Sequence, residues 1–207
     1  PHQFYGTMVM SDVDSGPAER WIYTPVVYRV ERSEPRSLAG GEAVDVLYGR
    51  KVDRTNLVRS LRASATTGER VVFIDADRVD EEVRKIQATL RGASYALMNT
   101  ARGPLSAPAA DAWVRRTYAK LDAPAIRTSV ERSLAAHELT HKTQEYAGVR
   151  YQGSDRLGVP AGLWAQLDEE SRTGIEAETA AYLAQAAVSA YPGWVLLTLV
   201  PHLLGGE

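Results

Sequence analysis

The sequence predicts an α+β fold in which a small twisted sheet from the first half packs on a mainly helical second half. Two observations carry that expectation. β-Branched and aromatic residues crowd the segments before Asp75, and from Ala109 onward apolar residues recur at helical spacing between capping residues and prolines. Gln3 to Met10 and Trp21 to Val30 read as strands, and Ser33 to Gly41, with Pro35 and Gly40-Gly41, reads as a loop. Leu57, Val58 and Leu61 give Asp53 to Ala65 a helical spacing. Glu69 to Asp75, with its continuous run Val71-Val72-Phe73-Ile74, is the clearest strand. A helix is expected from Asp80-Glu81-Glu82, whose charges suit a helix N-terminus, to about Arg91. Ala101 to Pro108 reads as a loop. Helices follow over Ala109 to Leu121, over Ala125 to Tyr146 with Pro124 in the first turn and Gly148 past the end, and from Glu169 or Thr173 to Ala190. Between the last two, Gly153, Gly158, Pro160 and Gly162 mark a loop.

The 207 residues suit a single domain, with residues 1–50 as a candidate β-rich N-terminal extension. A hydrophobic fraction of 44% beside 24% charged residues is enough to build a core and argues against wholesale disorder. A net charge of -2 gives no polybasic surface, so nucleic acid is not expected as a partner. The one long apolar run, Trp194 to Leu204, is broken by Pro201 and His202 and is too short to span a bilayer. It reads as core packing. With no cysteine there are no disulfides, thiolate metal sites or cysteine nucleophiles, and any bound metal must be held by His and carboxylate. The chain begins at Pro1 rather than Met, as a processed form or a fragment of a larger protein would. A secreted or cell-envelope location is expected ahead of a cytoplasmic one.

Chemistry concentrates in His137-Glu138-Leu139-Thr140-His141. Residues four apart share a helix face, so His137 and His141 project side by side and can bind one zinc ion. Glu138 stands about 100° around the helix from His137. It cannot easily ligate the same ion, but it reaches a water bound to it, which is the position of a general base. The bland alternative is a helix with two ordinary histidines.

An open catalytic zinc site needs a third protein ligand. No His lies between His141 and His202, so a carboxylate is expected, and the next helix offers Glu176 and Glu178. These two stand about 200° apart and cannot both face the metal. Either is otherwise a solvated helix charge.

Over Leu134 to Tyr146 and Glu176 to Tyr182 the chain resembles the gluzincin metallopeptidases, which carry His-Glu-x-x-His on one helix and a Glu on the next. Ala136-His137-Glu138-Leu139-Thr140-His141 is similar to a run common in thermolysin-like and related bacterial metallopeptidase domains. The resemblance implies a zincin-like fold, a zinc ion on His137, His141 and Glu176 (with Glu178 as second choice), and hydrolysis of peptide or protein substrates with Glu138 as base. The chain departs from the pattern at Lys142, a charge directly after the second His. It departs again where an Asp often follows the Glu ligand by four residues to support a His: Ala180 and Tyr182 stand there.

A peptidase also needs an electrophile near the developing oxyanion. Tyr182 is the first candidate, because it shares a helix with Glu176. His202, Tyr151 and Tyr191 follow, though each is more often a packing residue. Glu145 reads as a surface charge or a support for the ligands. The strand Val71 to Asp75 is either a sheet edge that pairs with extended substrate or a plain buried strand. The competing function is a zinc-binding module without activity that acts in protein–protein interaction. The intact Glu138 argues against it, and the missing Asp argues mildly for it.

Overall fold

A computed structural model describes residues 3–13, 20–52, 63–64, 69–100, 103–106, 108–148 and 161–189. Strands β1 (Phe4–Val13), β2 (Arg20–Ser37), β3 (Ala43–Lys51), β4 (Ala63–Ser64) and β5 (Val71–Asp75) form one sheet in the order β1-β2-β3-β5-β4. β1, β2 and β3 run antiparallel to one another, β3 and β5 are parallel, and β4 is a two-residue antiparallel edge on β5. Helix α1 (Ala76–Leu90) follows, then the hairpin β6 (Ala96–Thr100) and β7 (Gly103–Ser106). The rest is helical: α2 (Pro108–Tyr118), α3 (Ala123–Ala147), α4 (Ala161–Gln166) and α5 (Glu169–Val188). The α+β organisation is therefore as expected from the sequence. Among the described residues no helix is long and apolar enough to cross a membrane.

The centre of the sheet is buried on both faces. Val46 and Tyr48 of β3 lie beside Val72 and Ile74 of β5 and point at the helices, where Val79, Val83, Ile86, Val114, Tyr118, Ile126 and Val130 complete the main core. Leu47 and Phe73 point the other way and join Val26 and Tyr28 in a second cluster. Burial on both faces explains why β5 reads as an unbroken apolar run rather than an alternating one. On the alternative at Val71 to Asp75, β5 lies between β3 and the two-residue β4, which pairs with Phe73 and Ile74.

Five sequence expectations fail. Ser33 to Ser37 is not a loop but the end of β2, with Pro35 opposite Asp45. β1 ends opposite Arg29, so beyond Val30 one flank of β2 has no strand among the described residues, and a residue without an N–H is tolerated at such an edge. The first long helix begins at Ala76, because the Asp75 side chain accepts from the amides of Asp77 and Arg78 and caps it there. Ala101 to Pro108 contains β7, and Gly162 sits inside α4. Ala63 and Ser64 are strand rather than helix. The remainder of that expected helix (residues 53–62), the stretch 149–160 and the C-terminal apolar run lie outside the described residues.

Ion pairs bind the sheet to the helices upstream of the histidines. Arg50 of β3 meets Glu31 at 3.1 Å, Asp77 at 2.8 Å and Asp80 at 2.5 Å. Arg127 of α3 pairs with the same Asp80 and with Glu131, and Glu131 also takes Arg32 of β2 at 2.5 Å. The first half of α3 is thereby fixed to both layers.

Tyr118 makes this core sensitive to alkali. Burial pushes its phenol up to about 12, against a hydrogen bond with Ser129 and with a smaller contribution from the Glu82 charge. A raised folded-state value means stability that is present below the ordinary tyrosine range and lost as pH rises through it. The loss approaches about 2.7 kcal/mol, two pH units at about 1.36 kcal/mol each. Urea unfolding of Tyr118→Phe should therefore show a shallower decline between about pH 10 and pH 12 than the parent. An equally steep decline in the variant would assign the alkaline loss to other groups.

Candidate metal centre

The site is built on two helices. α3 is uninterrupted for 25 residues. Asp122 caps it by accepting from the Ala125 amide at 2.9 Å, Pro124 sits in the first turn, and Gly148 ends it in the left-handed conformation at φ 60°. With no break between Ala123 and Ala147, His137 and His141 stand one turn apart on one face, their Nε2 atoms 3.3 Å from each other. α5 starts at Asp168, whose side chain accepts from the Ser171 amide at 2.7 Å. It packs on α3.

Glu178 is the residue α5 brings to the histidines. One carboxylate oxygen lies 3.4 Å from His137 Nε2 and the other 3.3 Å from His141 Nε2. His137, His141 and Glu178 form a group that could hold a metal ion. Glu176, the first choice from the sequence, is not part of it. The reason is helical phase. Ala181 and Gln185 are the buried residues of α5, and Glu178 precedes them by three and seven positions on the same stripe. Glu176 is turned about 200° away from Glu178. The fully buried Ala181 marks the stripe on which α5 meets α3.

Charge and burial set the character of each group. Hydrogen bonds from His137 and then His141 hold the Glu178 carboxyl well below the usual carboxylate range, although burial opposes them. The hydrogen bond to Glu178 raises His141, against desolvation, and a further hydrogen bond with the Gln144 side chain adds to the rise. Gln144 was not singled out in the sequence. Burial pushes Glu138 upward, opposed by the charges of His137 and His141 and reinforced by that of Glu178. Side-chain exposure runs from 13% at His137 through 23% at His141 to 55% at Glu178, so solvent reaches the group from the α5 side.

Tyr182, one turn beyond Glu178, packs its ring against His137, with centroids 4.7 Å apart and planes at 68°. His137 Nδ1 is buried and has no hydrogen-bond partner among the described residues. Lys142, the charged residue after the second His, is fully buried. Its ammonium meets Glu145 at 2.9 Å and lies 5.8 Å from the Tyr146 ring, so the charge is paired rather than stranded. Glu145 is thus the partner of Lys142. His2, Tyr151, Tyr191 and His202 lie outside the described residues.

Comparison with protein-family models, with curated proteins and with solved structures finds no match to this chain. The functional reading rests on the site's own residues.

Proposed function

We propose that the chain is a zinc-dependent peptidase with a zincin-like arrangement, in which His137, His141 and Glu178 hold the metal and Glu138 is the general base. The observation that carries this reading is the carboxylate of Glu178 lying across both imidazoles, 3.4 Å and 3.3 Å from their Nε2 atoms. Donors around a tetrahedral zinc at about 2.0–2.1 Å stand about 3.3–3.4 Å apart. The imidazole pair, at 3.3 Å, has that same separation. Two imidazoles and one carboxylate are also a donor set that suits zinc.

When bound, zinc polarises a carbonyl and lowers the pKa of a coordinated water toward neutrality. His137, His141 and Glu178 would hold it where α5 packs on α3. Glu138 stands beside them, within reach of the charges of all three. Its carboxylate would accept a proton from the attacking water and return it to the leaving amine. The exposure of Glu178 leaves a side from which a peptide or protein substrate can approach.

The test is hydrolysis of a quenched fluorescent peptide library by protein loaded with one equivalent of zinc. Cleavage that stops with a chelator and returns with added zinc is the expected result. Zinc bound at one per chain with no cleavage of any sequence would sink the peptidase reading and favour an inactive zinc-binding module. The His137 Nδ1 atom, with no hydrogen-bond partner among the described residues, is the observation on that side. X-ray absorption of the zinc-loaded protein separates the two, since a structural site has a fourth protein ligand where a catalytic one has water.

A further inference from the structure

We infer that Tyr182 is a positioning residue whose aromatic ring, rather than its hydroxyl, orients the His137 imidazole for metal binding. This rests on the zinc-site reading above and adds to it the means by which the less exposed ligand is held.

A metal-binding imidazole is usually fixed by a hydrogen bond from its second ring nitrogen to a carboxylate, a carbonyl or water. His141 has a side-chain hydrogen bond with Gln144 in addition to its contact with Glu178. His137 differs. Its Nδ1 is buried and has no hydrogen-bond partner among the described residues, so no such bond sets the rotation of the ring about its Cβ–Cγ bond. Among the described residues two rings contact it instead. His141 lies 5.0 Å away with planes at 74°, and Tyr182 lies 4.7 Å away at 68°. Both are edge-to-face arrangements, in which the electropositive edge of one ring meets the electronegative face of the other. His141 is itself a ligand, which leaves Tyr182 as the aromatic contact from outside the ligand set among the described residues.

Its place on α5 makes that contact dependable. Tyr182 follows Glu178 by four residues and Ala181 by one, and Ala181 is fully buried. The helix face that delivers the carboxylate therefore delivers the ring in the same docking.

The experiment compares Tyr182→Phe with Tyr182→Leu and Tyr182→Met, reading zinc affinity by chelator competition and ligand geometry from the visible spectrum of the cobalt(II)-substituted protein. Tyr182→Phe should match the parent in affinity and spectrum. The Leu and Met variants should bind zinc about 10–100-fold more weakly, the range for loss of an outer support, and show an altered cobalt spectrum. Thermal unfolding without metal should stay near the parent for at least one of these two. Parent-like affinity and spectrum in Leu and Met overturn the inference while leaving the zinc site intact. Equal losses in Phe and Leu also overturn it, assigning the effect to the hydroxyl. A parent protein that binds neither zinc nor cobalt overturns the zinc site itself.

Discussion

Glu178→Ala should abolish stoichiometric zinc binding, whereas Glu176→Ala should leave it intact. The two carboxylates are two positions apart in one helix and equally plausible by charge. Only Glu178 reaches the imidazoles, with an oxygen 3.4 Å from His137 and another 3.3 Å from His141. Removing a ligand costs more than removing one of its supports, so the affinity should fall by more than the about 10–100-fold typical of a support. Elemental analysis of protein purified without chelator, followed by chelator competition, reads the result. About one zinc per chain in the parent and in Glu176→Ala, with little in Glu178→Ala, is the expected pattern. Zinc lost from Glu176→Ala and kept by Glu178→Ala would return the third ligand to the residue the sequence favoured.

Glu138→Gln is the second large effect. The amide keeps the size of the carboxylate but cannot take a proton, so zinc should stay bound while turnover falls by about 10²–10⁴-fold, the usual contribution of a general base. The pH dependence adds a signature. A base works only when deprotonated, so kcat/KM should fall on acidification as Glu138 takes up a proton. Any turnover left in Glu138→Gln should lack that acidic limb. Turnover close to the parent's would mean that another group takes the proton.

The sequence was most informative where one short-range rule governs the outcome. His137 and His141 needed only a continuous helix, with Pro124 in its first turn and Gly148 past its end as expected. α5, expected from Glu169 or Thr173 to Ala190, spans Glu169–Val188, with good helix formers along it. The choice of Glu178 required knowing which stripe of α5 meets α3, and α5 shows this poorly because alanines lie on most of its sides. β3, which joins the antiparallel strands to β5, was not anticipated. Its Ala43-Val44-Asp45-Val46 start alternates, but Leu47, Tyr48 and Gly49 are buried in succession, as happens when both faces of a strand are covered. The continuation of β2 through Pro35 depended on where β1 stops, which no local pattern records.

The attachment of α5 has a thermal consequence. Of its 20 residues only Ala181 and Gln185 are buried, while the first half of α3 is anchored in the core and in the Arg50–Asp80–Arg127 ion pairs. Segments with so little buried surface open at free energies well below that of global unfolding. A metal held between the two helices acts as a fastener, adding about 2.7 kcal/mol to the cost of opening when free zinc is 100 times its dissociation constant. Amide exchange along α5 would read this directly, fast without zinc and slow with it. Warming the zinc-free protein would then release Glu178 while the sheet stays folded, so that the capacity to bind metal melts before the protein does.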